Sequence, residues 1–170
     1  RMDTRRDAMK SFVTTSGKIA LASIPFALGS MFQKAYSSLS SPIDLVLDTL
    51  NFALTLEYLE SNFYIKAVAS GIVPSGNAMN AFTVIRDHES EHVNFLKTAI
   101  TAAGGTPVSF TAASFDFTAK GTFPGVFSDY GTMLAVAQTF EDTGVRAYKG
   151  QAANLISNND YLTAALQIHS

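Results

Sequence analysis

Three stretches of the chain return an apolar side chain every three or four positions, and short polar or glycine-containing stretches separate them. The first runs Leu50, Leu54, Glu57, Ser61, Tyr64, and the second Phe82, Ile85, Glu89, His92 with Val93, and Leu96. The third runs Leu134, Ala137, Glu141, Val145, Tyr148, Ala152 and Leu155. This recurrence is the period of a helix with one buried face. A first helix is expected to start at Ser41-Pro42, with serine as cap and proline in the first turn, and to run through Asp44 to about Ala69 before Gly71 stops it. Val73-Pro74-Ser75-Gly76 reads as a turn, and a second helix follows from about Asn77 to Ala103, closed by Gly104-Gly105.

Residues 106–128 are rich in Thr, Ser, Phe, Gly and Pro and keep no helical period. Phe110, Phe115, Phe117, Phe123 and Phe127 are expected to pin this stretch to the helices. A third helix is predicted over roughly Asp129 to Ile156, and a fourth begins at Asn159-Asp160 and is still running at Ser170. Two short turns around one long connection describe an all-α, four-helix bundle whose second and third helices run parallel. A connection of this length is unusual unless it crosses the whole bundle, about 40 Å for helices of this size.

Each stripe is apolar except for one ionisable cluster near its middle. Glu57 and Tyr64 stand seven residues apart, and Glu141 and Tyr148 repeat that spacing 84 positions later. Between them, Glu89-Ser90-Glu91-His92 places a carboxylate and an imidazole one turn apart on one face. Three carboxylates buried at one level would repel one another and lose their hydration, and a pair of divalent cations removes both costs. Iron and manganese suit carboxylate oxygen and imidazole nitrogen. Tyr64 and Tyr148, two turns from their glutamates, are placed to bond across the bundle to the opposite pair. The bland alternatives are salt bridges from Arg86 or Arg146 to the glutamates, and a competing His88/His92 pair one turn apart. Glu60 and Glu91 are expected to face solvent or to lie behind the metal ligands, and His169 is not expected to be a ligand.

Composition narrows the choice. The 170 residues suit one domain, and 47% hydrophobic against 15% charged residues indicates a globular one. From Ser38 onward, 6 basic residues face 12 acidic ones. An acidic domain without a basic stripe is a poor nucleic-acid partner. With no cysteine, neither a disulfide nor a thiolate metal site can form.

The N-terminus departs from this balance. Thr4-Arg5-Arg6-Asp7-Ala8-Met9-Lys10 is followed by an apolar, serine-containing stretch from Phe12 to Ala35. A basic start, apolar middle and small-residue exit describe an export signal over residues 1–37, and the arginine pair resembles the twin-arginine type. Ala8 stands where that type usually carries a bulky residue. Ala35-Tyr36-Ser37 offers a cleavage point before Ser38, leaving a domain over 38–170 with no membrane span. Competing readings are an amphipathic helix, which Gly17, Pro25 and Gly29 would interrupt, and an uncleaved anchor, whose apolar core Lys18 and Lys34 keep short. Export implies a periplasmic or cell-envelope location.

Leu50-Asn51-Phe52-Ala53-Leu54-Thr55-Leu56-Glu57-Tyr58-Leu59-Glu60, His88-Glu89-Ser90-Glu91-His92 and Phe140-Glu141-Asp142-Thr143-Gly144-Val145-Arg146-Ala147-Tyr148 resemble the ferritin-like domain family that includes desiccation-associated proteins. The resemblance runs from about Ile43 to the C-terminus. It implies a ferritin-like bundle in which Glu57 and Glu141 are carboxylate ligands, Glu89 a bridge and His92 a terminal ligand of an iron or manganese pair. It also implies ferroxidase or peroxide-linked chemistry, or else a stress- or desiccation-associated protective bundle without turnover. A second Glu-x-x-His belongs on the fourth helix. Tyr64 and Glu89 are 25 residues apart, and the same spacing from Tyr148 falls near positions 173 and 176, beyond Ser170. The fourth helix is therefore expected to be incomplete within these residues, the second cation to have only half its ligands here, and the centre to be filled or empty accordingly. The apolar face so exposed is expected to be covered by a second copy or a partner chain.

Overall fold

The structure is a computed structural model that describes residues 45–155, the side chains as far as Gly150, and separately Thr163. The export signal, the start of the first helix at Ser41-Pro42, the fourth helix and His169 lie outside the described residues. Within them the fold is all helical: α1 spans Leu45–Ala69, α2 Asn77–Ala102 and α3 Tyr130–Leu155, with a short 3-10 turn at Ala112–Ser114 and no strand. Among the described residues, no helix is long and apolar enough to cross a membrane.

The ends follow local chemistry. The Ser70 hydroxyl donates to the Ala67 carbonyl at 2.6 Å as α1 stops, and Gly71 takes φ +77° in the turn. The end of α2 is closed twice: Gly105 N–H reaches the Ile100 carbonyl at 2.9 Å and Gly104 N–H the Thr101 carbonyl at 3.0 Å. Gly104 sits at φ +79°, a conformation that costs a residue with a Cβ, so glycine suits this cap. At the start of α3, Asp129 accepts from the Thr132 amide and hydroxyl, both at 2.7 Å, which holds its carboxyl below the usual range.

α1 is the central element. It forms a hairpin with α2, tied by Ser61 and Ser90 hydroxyls 3.4 Å apart and by the Tyr64–Phe82 ring contact. Its other flank meets α3 through Tyr64–Glu141 and Glu57–Tyr148, so seven residues forward on α1 correspond to seven backward on α3. α2 and α3 therefore both run antiparallel to α1.

The segment between α2 and α3 lies along α1. Asn51 bonds Thr106 and Val108, the Tyr58 ring meets Phe110, and Phe63 meets Phe117 and Phe127. Phe115, Phe117 and Phe123 are buried, and Phe110 and Phe127 pack against the same core. Five aromatic anchors on one surface explain how a stretch without helical period stays ordered. Ala119 and Lys120, at φ +49° and +57°, precede Gly121 at +82° in a left-handed turn braced by Asp116, whose carboxylate accepts from Thr118 and Lys120.

Two apolar clusters fill the interior. One gathers Phe63, Phe82, Ile85, Met133, Ala137 and Phe140 with the connecting segment, and Phe63 lies 5.0 Å from Phe140, ring to ring, in an edge-on contact. The other gathers Leu50, Leu54, Val93, Leu96, Ile100 and Tyr148. The ionisable residues sit between the two.

Candidate metal centre

Glu57 and Glu89 are fully buried, at 0% exposure each, and Glu141 is 9% exposed. The helices bring Glu57, Glu89 and His92 together, with one ligand atom from each lying within 4.8 Å of the others. His92 Nδ1 is 3.1 Å from Glu57 Oε2 and 3.1 Å from Glu89 Oε2. One imidazole nitrogen thus faces two carboxylates from two helices. Burial pushes the His92 imidazole down, but the hydrogen bonds and charges of Glu57 and Glu89 outweigh it and raise its pKa to about 9.

The tyrosines close the arrangement from outside. Tyr148 donates from its hydroxyl to Glu57 Oε1 at 2.7 Å, and Tyr64 donates to Glu141 Oε1 at 2.9 Å. Glu57 therefore presents one oxygen to Tyr148 and the other to His92. Burial, followed by the charges of the surrounding glutamates, raises both phenols well above the ordinary range, which keeps them protonated as donors. Glu141 stands outside the three-residue group, but it shares the Tyr64 hydroxyl's surroundings with Glu89 and Glu60, whose charges act on that phenol too.

The competing readings are accounted for. Arg86 forks onto its neighbour Asp87 at 2.7 and 2.9 Å, at the surface, and Arg146 is exposed. His88 is exposed one turn before His92 and does not join the group, so the His88/His92 pair is not formed. Glu91 faces solvent as expected. Glu60 does not: it is only 3% exposed. On the third stripe Val145 is half-buried rather than buried, and the inner face is carried by Met133, Leu134, Val136, Ala137, Phe140, Glu141, Gly144 and Tyr148.

Several carboxylates beside a single imidazole, without a thiol, form a donor set for hard or borderline divalent cations. With one donor atom from each of Glu57, Glu89 and His92 within 4.8 Å of the others, the residues fit such an ion.

The sequence model of the ferritin-like domain family matches residues 45–170. The chain belongs to the ferritin-like domain family. No curated protein and no solved structure matches it. The family places the Glu57, Glu89 and His92 group in a helical scaffold whose members often bind iron.

Proposed function

We propose that this ferritin-like protein holds a carboxylate-bridged pair of iron or manganese ions and acts as a ferroxidase or in peroxide-linked chemistry. The convergence of Glu57, Glu89 and His92 from two helices, with both carboxylates fully buried, carries this reading. In it, Glu57, Glu89 and His92 would hold one cation, and Glu89 with Glu141 from α3 would serve a second. Bound iron or manganese supplies electron transfer to oxygen or peroxide, with ferrous iron as the substrate of a ferroxidase.

The chain's own residues prepare the site. Tyr148 fixes which oxygen of Glu57 turns inward, and Tyr64 does the same for Glu141. Fixed hydrogen bonds to ligating groups orient them and tune their basicity. The apolar clusters on either side keep bulk water away, which strengthens charge interactions inside. His92 gives up its proton when a cation takes Nδ1, so uptake releases protons.

The same reading completes the architecture as a four-helix bundle. The antiparallel registers of α2 and α3 against α1 support a long crossover between α2 and α3, with a fourth helix and a second copy or partner chain closing the open side. The basic and apolar pattern of residues 1–37 supports export of the folded protein by a twin-arginine route to the periplasm or envelope.

The test is metal analysis of the full chain after anaerobic incubation with ferrous or manganous salt. The expected result is about two cations per chain, as in two-metal sites generally, and an absorbance that develops with oxygen when iron is bound. Glu89→Ala combined with His92→Ala should abolish uptake. Unaltered uptake in that variant overturns the assignment. A native chain that takes up nothing, with unchanged thermal stability on added iron, supports a protective bundle tied to stress or desiccation.

A further inference from the structure

Among the described residues, three large apolar side chains stand about half exposed: Ile65, Val84 and Phe95. Ile65 stands singly on α1, and a lone exposed apolar residue calls for no partner. Val84 and Phe95 differ, because both belong to α2 and lie close to three helical turns apart, on one line along the helix. His88 and Glu91 lie on the same line between them, and both are exposed. This outer stripe is turned about 120° from the buried face of Phe82, Ile85, Glu89, Val93 and Leu96. The flank of α2 next to α1, where Ser90 meets Ser61, lies on the other side of that face. A helix completing the bundle would take the flank between buried face and stripe, where Ala81 is buried and His92 and Ala99 are half-buried.

The stripe is symmetric about its own midpoint. The centre of Val84 and Phe95 is also the centre of His88 and Glu91, between Glu89 and Ser90. A second α2 laid antiparallel across this point sets Val84 of each copy against Phe95 of the other. It also sets each His88 against the other copy's Glu91. An imidazole N–H donates to a carboxylate whether the ring is neutral or charged. Among the described residues, neither His88 nor Glu91 has a hydrogen bond or ion pair within the chain. A parallel pairing would instead set Glu91 against Glu91, which like charges disfavour. An antiparallel one uses the same surface on both copies and closes at two chains.

We propose that the outer stripe of α2 docks a second copy of this chain about a two-fold axis, with Val84 packed on Phe95 and His88 bonded to Glu91 across it. The surface lies apart from the Glu57, Glu89 and His92 group, so it depends neither on the metal reading nor on the closing of the open side. The contact is small, and its dissociation constant is expected to be roughly micromolar.

Sedimentation of the native full chain from low to high micromolar concentration tests this, beside Val84→Ser combined with Phe95→Ser, His88→Glu, Glu91→Lys, and an equimolar mixture of the last two. Circular dichroism and thermal melting check that each variant is folded. The native chain should pass from monomer to dimer. The paired serine substitutions should weaken association at least about tenfold, because the apolar contacts are lost on both copies. His88→Glu sets carboxylate against carboxylate, and Glu91→Lys leaves the imidazole facing an ammonium, so each alone should dimerise more weakly. Mixed, the two variants regain opposite charges at both pairs and should form a heterodimer. The charge variants alter only exposed side chains, so they decide the matter even if the serine variant does not fold. A native chain that stays monomeric overturns the proposal. So does a dimer that the folded serine variant keeps at native strength, or a mixture that forms no heterodimer. If the serine substitutions lower the melting temperature but leave the mass unchanged, the stripe is covered from within the chain, which also overturns it.

Discussion

Tyr148 on α3 donates a 2.7 Å hydrogen bond to Glu57 on α1, and 91 residues of chain separate the two. Both side chains are buried, so the bond joins two helices through a charged acceptor. Hydrogen bonds to charged groups contribute about 1.5–3 kcal/mol, and a buried acceptor left alone loses its hydration without return. Tyr148→Phe keeps the ring and removes the donor. It should destabilise the metal-free protein by about 1–3 kcal/mol in urea unfolding. Tyr64→Phe should act similarly through Glu141. An unchanged midpoint in both variants would mean that these bonds do not fasten α3 to α1.

His92 sets the pH dependence of the metal-free state. Its folded pKa is raised to about 9 from an ordinary 6.5 by Glu57 and Glu89, against the opposing effect of burial. Folding therefore favours the protonated form. The stabilisation is complete below about 6.5, declines as pH rises, and is gone above about 9. Its size is roughly 3 kcal/mol if the whole shift is expressed. Thermal melting of metal-stripped protein should show the midpoint falling through that window, and His92→Gln should flatten the curve. Cation affinity should move the other way, rising with pH over the same range, because the cation displaces the proton. A melting curve equally steep in His92→Gln would assign the dependence to other groups.

Much of this was legible in the chain. The start of α2, its end near Gly104-Gly105 and the bounds of α3 followed from periodicity and caps, because both helices bury one clear face. The seven-residue spacing anticipated that the tyrosines would reach across to the opposite glutamates, since two helical turns return a side chain to the same face. Of the two places expected for Glu60, facing solvent or behind the metal ligands, its burial leaves the second, and for a physical reason. α1 contacts α2 on one flank and α3 on the other, so it buries a wider arc than one stripe. Ala53, Leu56, Phe63 and Ala67 around Glu60 were the available signal. The left-handed run at Ala119 and Lys120 had none, because neither residue favours positive φ and the turn is imposed by Asp116 and the buried phenylalanines around it.

Gly104 offers a backbone test with no packing component. A Cβ built there meets nothing within 4 Å, yet φ is +79°. Gly104→Ala should therefore cost about 1 kcal/mol through conformation alone. Gly105 is the contrasting case, because a Cβ there would come within 2.6 Å of a Leu47 methyl. If Gly104→Ala leaves the unfolding midpoint unchanged, the double closure of α2 contributes less than its geometry implies.

The carboxylates make the strongest prediction, because the same side chains should weaken the metal-free protein and strengthen the loaded one. Glu141 is nearly buried, receives the Tyr64 bond on one oxygen, and shares that hydroxyl's surroundings with Glu60 and Glu89. Glu141→Gln keeps an oxygen to accept from Tyr64 but removes a negative charge from a crowded interior. Metal-free Glu141→Gln should melt at or above the native temperature, by the equivalent of up to about 1–2 kcal/mol, because like charges crowded in the interior are destabilising. Added manganese or ferrous ion should raise the native melting point in proportion to the logarithm of its concentration over its dissociation constant. On the proposed centre, in which Glu141 is a ligand, the variant should show a smaller rise. The decisive comparison is the difference between loaded and metal-free melting points in each protein. Equal metal-induced shifts in native and Glu141→Gln would remove Glu141 from the centre. A lower metal-free melting point in the variant would mean that its charge is already balanced without a cation.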